Sequence, residues 1–304
     1  MEMTGRRLIT PNVIIAGAPK CGTTSVFEWL SDHPEVCVSS RKETGYFIDR
    51  GDPLFDEGAN YHVQGIEGYG RFFAHCAPGR AGVILEATPD YINQTTAIEV
   101  IPTLTPRPLV VFILRRPSER IYSSFQFSRN NLSILPKEMT FSEFIGLGAD
   151  SGKDPASAAV LRVALDQTRY AEHISRWIAS AGAASVSVFL FESLRDGQSG
   201  FMKAFSERIG IDAGFWDGYG FKRINESYRV KSQFMHRMVR KVSTSVPGLT
   251  RQGFLKKAYG LVNKESPSQA SAEDKEAMRR LDESFRTHNA ALAGLLKMDL
   301  SAWR

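Results

Sequence analysis

The chain has 304 residues, 42% of them hydrophobic and 23% charged, enough apolar material for one large α/β domain or two smaller ones. Its net charge of +5 suits an anionic cofactor or substrate, and no dense Lys/Arg run with interleaved aromatics points to nucleic acid. No stretch approaches the ~18 apolar residues of a membrane span, and the first twelve residues lack the apolar core of a secretory leader.

Cys21, Cys37 and Cys76 are a sparse, odd set. Their spacing fits neither a disulfide framework nor a zinc site, so the expectation is unpaired thiols in a reducing, cytoplasmic setting.

Residues 13–29 read VIIAGAPKCGTTSVFEW. Val13, Ile14 and Ile15 predict a short buried strand, Gly17 opens a turn, and Gly22-Thr23-Thr24-Ser25 leads into an amphipathic helix. A strand, a glycine-bearing loop and a helix N-terminus form an anion cradle, because loop N–H groups and the positive end of the helix dipole face one point. The nucleotide triphosphatase pattern G-x-x-x-x-G-K-[ST] is only partly kept. Gly17, Gly22 and Thr24 hold their places, but Thr23 stands in the lysine place and the lysine is Lys20, inside the loop.

Pro34 ends the first helical run, and Val36-Cys37-Val38 predicts a second strand, followed by the polar-to-aromatic stretch 39–47 with Lys42 and Glu43. Residues 68–77 predict a helix with Tyr69, Phe72 and Phe73 on its inner face, and the aromatics between Tyr46 and Phe73 suggest a partly apolar acceptor pocket. His62 and His75 read as packing or surface residues. Residues 81–91 form a strand carrying Glu86 into a loop, and residues 109–114, LVVFIL, are the clearest buried strand. That strand delivers Arg115, with Pro117 set for the first turn of the next helix and Ser123 eight residues beyond Arg115.

Residues 130–168 read as the short helix 141–146 within a lid or acceptor loop. Residues 170–179 predict a helix, 185–191 a strand and 201–209 a helix capped by Gly210. Residues 222–257 are basic, with Arg229 and Lys231 as candidate phosphate contacts, or contacts to an acidic acceptor or membrane surface. Ser271 with Asp274 has the form of a capping box opening a C-terminal helical segment, 271–304.

The heptapeptide Pro19-Lys20-Cys21-Gly22-Thr23-Thr24-Ser25 resembles the 5′-phosphosulfate loop of sulfotransferases that use 3′-phosphoadenosine 5′-phosphosulfate (PAPS). Residues 42–47 resemble the KE-x-x-FF segment of heparan-sulfate-type members, residues 86–91 resemble EKTPxYF, and Arg115 to Ser123 resemble the 3′-phosphate signature RxPxxRxxS. Residues 225–232 and 281–303 are similar to late segments of bacterial and other family members.

The resemblance implies a single sulfotransferase domain over residues 1–304, an α/β, P-loop-like parallel sheet flanked by helices. Its nucleotide motifs lie at 13–30 and 109–125. It further implies sulfuryl transfer from PAPS to a hydroxyl or amine of a carbohydrate, lipid or small metabolite, releasing 3′,5′-ADP without a metal. Lys20 would stabilise the leaving phosphate and Glu43 would be the base, with Glu86 as the other catalytic carboxyl. Cys21, Gly22, Thr23, Thr24 and Ser25 would hold the 5′-phosphate, and Arg115, Ser123, Arg229 and Lys231 the 3′-phosphate. Ala87 replaces the lysine of EKTPxYF, which shifts the burden to Lys20 and the two glutamates. The rival readings are a P-loop small-molecule kinase and a catalytically inactive nucleotide-binding homologue.

Overall fold

The apolar runs become strands, and the amphipathic and capped segments become helices. In this computed structural model residues 8–76, 81–148, 152, 154–222, 229–230, 264–265 and 270–303 are described. The elements run β1 (Val13–Gly17), α1 (Thr23–Ser31), β2 (Val36–Val38), α2 (Tyr61–Gln64), β3 (Val83–Ala87), α3 (Thr95–Val100), β4 (Leu109–Leu114) and α4 (Pro117–Asn130). They continue with α5 (Phe141–Gly146), α6 (Pro155–Asp166), α7 (Tyr170–Ala181), β5 (Val186–Leu190), α8 (Phe191–Asp196), α9 (Gln198–Ile209), β6 (Arg229–Val230), β7 (Lys264–Glu265) and α10 (Ala272–Leu296).

These residues fall into two compact units, one drawn from 1–115, 169–225 and 288–298, the other from 116–168, 226–287 and 299–304. The first unit holds a five-stranded parallel sheet in the order β2-β3-β1-β4-β5. Its central strand is buried at every residue, as a parallel sheet covered on both faces requires. Parallel pairing puts the C-terminal ends of β1, β3 and β4 side by side on one rim, where open α/β sheets bind their ligands.

The second unit is helical. Ile121 and Phe125 of α4, Phe141 and Phe144 of α5, Leu161 and Ala164 of α6, and Leu281 and Phe285 of α10 form its core. Arg120 is wholly buried there, donating to the Ala164 carbonyl, Thr168 Oγ1 and Gln167 Oε1. Buried charge is tolerated only when its donors are satisfied, so the middle arginine of the 115–123 motif is scaffold. Arg116 is likewise engaged, paired with Asp282 at 2.8 Å. Ser271 and Asp274 cap α10 reciprocally, as their spacing predicts.

Two expectations are corrected. Residues 155–166, read as loop, are helix α6, with Asp154 accepting from the Ser157 N–H and Pro155 in the first turn. Its small, alanine-rich face packs in the second unit's core, which leaves no strong apolar stripe in the sequence. Cys37 and Cys76 are not free thiols. They are joined in a disulfide 39 residues apart, tying β2 to the chain that follows the 3₁₀ turn Glu67–Phe73. His75 stands beside it, its Nε2 3.0 Å from the Val38 carbonyl and 3.9 Å from Cys76 Sγ. Cys21 lies outside this disulfide and is buried.

Candidate functional site

The first strand end is shaped by steric necessity. Gly17 closes β1, and a Cβ there would stand 2.9 Å from both Ile92 and Phe112. The Ala18 N–H continues the ladder to the Ile113 carbonyl at 2.9 Å, so the loop leaves the sheet still tied to β4. Lys20 is a non-glycine residue in the left-handed region, with φ 70°. A backbone held in that region costs about 1–3 kcal/mol and persists only where its surroundings impose it.

Gly22, the N-cap of α1, is also left-handed at φ 81°. A Cβ on it would lie 2.8 Å from Leu194 and 3.1 Å from Phe191. No side chain caps α1, and its first turn carries no acidic residue. The donor set at this end comprises an uncapped helix N-terminus, the hydroxyls of Thr23, Thr24 and Ser25, and the Lys20 ammonium. Such a set, rich in N–H and O–H donors and one ammonium, fits a phosphate or phosphosulfate.

The second strand end is held by polar contacts. From β2 the chain crosses onto the end of β3: the Ser39 N–H bonds the Leu85 carbonyl at 2.8 Å and the Glu43 N–H bonds the Ala87 carbonyl at 2.9 Å. Glu43, too, is left-handed at φ 58°. Its carboxylate is half exposed and paired with the Lys42 ammonium. Lys42 and Glu43 therefore make a contact, and the loop is not merely solvated. Arg41 pairs with Asp56 at 3.6 Å nearby.

Glu86 sits beneath this loop with no exposure at all. Its Oε1 accepts from Thr44 Oγ1 at 3.0 Å and from Thr88 Oγ1. Burial is the main force on it and pushes its carboxyl up to about 7, against the opposing pull of the two threonine hydroxyls and of Lys42. Glu86 is thus sealed from solvent, whereas the Glu43 carboxylate is half exposed. The aromatics behind it also depart from expectation. Tyr46, Phe47, Tyr69 and Phe73 are wholly buried and packed on one another, with Tyr46 and Tyr69 stacked at 5.2 Å, so they form a closed cluster and line no open pocket.

The third strand end carries Arg115, whose guanidinium lies 4.5 Å from the centre of the Phe191 ring. Phe191 opens α8 directly after β5. The same ring bounds Gly22, so one aromatic side chain braces the β1 loop and the β4 arginine together. Phe191 is the last residue of the strand predicted over 185–191, where the sequence alone assigns it no site role. The available signal was an aromatic at the C-terminal end of a parallel strand, where sheet topology places ligand-facing residues.

Ser123 lies on α4 in the second unit, half-buried. Arg229 falls in the two-residue strand β6, which pairs antiparallel with β7, and Lys231 lies outside the described residues, as does most of the basic region 222–257. Lys20, Cys21, Gly22, Thr23, Thr24, Ser25, Glu43, Glu86 and Arg115 thus share one sheet rim in the first unit, while Ser123 belongs to the other.

Comparison with known proteins points to one family. The chain is 28% identical over 201 residues to the human bifunctional heparan sulfate N-deacetylase/N-sulfotransferase 1, an alignment covering 66% of this chain and 22% of that protein. It is 32% identical over 155 residues to the membrane-associated sulfotransferase kil1 of Dictyostelium discoideum, covering 49% of this chain and 30% of that one. The chain thus spans about a fifth to a third of the length of these curated relatives. Among solved structures, a sulfotransferase from Alicyclobacillus acidocaldarius shares the fold with a TM-score of 0.65 and 19% identity, over 97% of this chain and 99% of that one. The sulfotransferase domain family model matches residues 10–244. A loop with its lysine displaced inward, on a parallel α/β sheet recognised over most of its length, places this chain in the sulfotransferase domain family.

Proposed function

We propose that the chain is a single working domain that moves a sulfuryl group from PAPS to a hydroxyl or amine of a carbohydrate, releasing 3′,5′-ADP. The observation carrying this reading is the cationic, donor-only set on one rim: Lys20 and the uncapped start of α1 at one strand end, Arg115 at another. PAPS is matched by such a set because it carries a 5′-phosphosulfate and a separate 3′-phosphate. ATP lacks the second, which leaves Arg115 without a purpose in a kinase.

In the reaction, the acceptor's O–H or N–H attacks sulfur, the bond between sulfur and the bridging phosphate oxygen breaks, and 3′,5′-ADP leaves with the electron pair. Lys20 offsets the charge that builds on that bridging oxygen, a contribution that grows towards the transition state. Thr23, Thr24, Ser25 and the backbone of Cys21 and Gly22 hold the 5′-phosphate. Glu43 takes the acceptor's proton, an effect of about 10²–10⁴-fold for a positioned base. Arg229 and Lys231 add to the 3′-phosphate contacts. No step calls for a metal ion.

A carbohydrate acceptor is favoured by the polar surface around Glu43, made by Arg41, Lys42 and Asp56, and by the closure of the aromatic cluster. The heparan sulfate relative is named for such an acceptor. The disulfide argues for an oxidising compartment in place of the cytoplasm. Among the described residues no helix is long and apolar enough to cross a membrane.

Calorimetric titration with 3′,5′-ADP, 5′-AMP and ATP-Mg²⁺ tests the reading on the native protein and on Arg115→Ala. Selective binding of 3′,5′-ADP that weakens about tenfold to a hundredfold in the variant is expected from a lost charge-assisted contact. Preference for ATP-Mg²⁺, or indifference to the 3′-phosphate, overturns it.

A further inference from the structure

Glu86 is a carboxyl group that transfer as derived above does not use, yet it is a fully enclosed titratable group on the rim. Among the described residues it makes no ion pair, and the cation that acts on it, Lys42, is engaged with Glu43. Its Oε1 carries two hydrogen bonds from threonine hydroxyls, while its buried Oε2 makes no hydrogen bond of normal geometry among the described residues. The buried Tyr69 hydroxyl faces this carboxyl: burial, the charge of Glu86 and a side-chain hydrogen bond to it all push the Tyr69 phenol up.

Thr44 is the pivot. Its hydroxyl bonds Glu86 Oε1 and lies 3.1 Å from the Tyr91 hydroxyl, which in turn accepts the Phe47 N–H at 3.3 Å. Thr44 is also the residue next to Glu43, whose own N–H is fixed to the Ala87 carbonyl of the strand that bears Glu86. The left-handed turn at Glu43 is therefore clamped from both sides by groups on or bonded to residues 86–91. A side chain in that region of backbone space needs such a clamp to persist.

We propose that Glu86 is a positioning residue, held as a neutral carboxylic acid, that clamps Thr44 and so keeps Glu43 in the left-handed turn from which its carboxylate faces the acceptor. This rests on Glu43 being the base. Neutrality follows from enclosure: an ionised carboxylate sealed from water without a paired cation is costly, whereas the acid lets Oε1 accept from both threonines while Oε2 carries the proton. The titratable and charged groups that act on it are Tyr69 of the 3₁₀ turn Glu67–Phe73, Tyr91 of the turn Pro89–Asn93, and Lys42 of the loop above. Both tyrosines titrate far above neutrality, so Glu86 is the group that changes charge near neutral pH.

Amide hydrogen exchange and infrared spectroscopy on the full chain test this without any acceptor. Glu86→Gln reproduces the neutral acid's shape and acceptor oxygen, so protection of residues 43–47 stays within about twofold of native, whereas Glu86→Ala speeds their exchange at least about tenfold. The loop 17–25 is unchanged in both. In the native protein the 43–47 segment loosens as pH rises through neutrality, and the glutamine variant abolishes that dependence. A protonated-carboxyl band present at pH 6 and absent from Glu86→Gln completes the signature. Equal exchange in the alanine and glutamine variants, or no such band, overturns the proposal. Titration with 3′,5′-ADP on the same samples keeps the two ideas apart, because failure to bind it sinks the PAPS reading and leaves the exchange result standing.

Discussion

The loops leaving β1 and β2 do the same geometric job by opposite means. Each presents a charged residue, Lys20 or Glu43, from a left-handed backbone at the rim of one sheet. The β1 loop is fixed by exclusion: neighbours crowd Gly17 and Gly22 until no side chain fits. The Glu43 loop is fixed by attraction, through hydrogen bonds that converge on Thr44 and a buried carboxyl. A sterically defined loop is insensitive to pH and intolerant of added atoms. A loop held by a titratable group is the reverse.

The largest expected effect tests the first loop's charge. Lys20→Ala should lower kcat by roughly 10³-fold, the scale of a lost transition-state donor, with little change in PAPS affinity. This is read as 3′,5′-ADP release in the presence of an amino-sugar oligosaccharide, and native rates would remove Lys20 from the chemistry.

Next comes the pH response of the second loop. The unfolded chain ionises Glu86 near 4.5, while burial holds it near 7 in the folded protein. Between those values the folded state keeps a proton that the unfolded state has released, so this group's contribution falls as pH rises across that window. The loss is on the order of 3 kcal/mol. Denaturant titrations at pH 4.5 and 7.5 on native protein and Glu86→Gln measure it as the difference between the two slopes, and parallel slopes would contradict it.

The smallest effect probes exclusion directly. Gly22→Ala forces a Cβ into Leu194 and Phe191 at an unfavourable φ, and should weaken 3′,5′-ADP binding by about 30-fold, roughly 2 kcal/mol. Unchanged affinity would mean that the loop is less tightly bounded than its packing indicates.

The same contrast explains what could be read before the structure was known. Steric requirements write themselves into residue type and spacing, so Gly17, Gly22 and Thr24 announced the β1 loop, and the run 109–114 announced β4. Arg115 was legible because it follows that strand directly. Contacts made by folding leave no such trace. Glu86 reaches Thr44 across 42 residues, and nothing in the sequence distinguishes it from an exposed carboxyl. The pairing of Cys37 with Cys76 depends on how β2 meets a distant 3₁₀ turn. Helix α6 was missed because its buried face is made of alanine, serine and a single leucine, too small a contrast to register as a stripe. Phe191 was passed over because its two partners, Gly22 and Arg115, are each far from it along the chain.

The cross-link has a topological consequence. Cys37 and Cys76 close a covalent ring of chain that contains Lys42, Glu43 and Thr44 together with the exposed residues Leu54 and Val63. A protease cutting at Leu54 or Val63 opens that ring without separating its halves. The strand that feeds Glu43 and the aromatic turn beyond it stay on one molecule until a reductant acts. Nicked and intact protein would then migrate together on a non-reducing gel and apart on a reducing one.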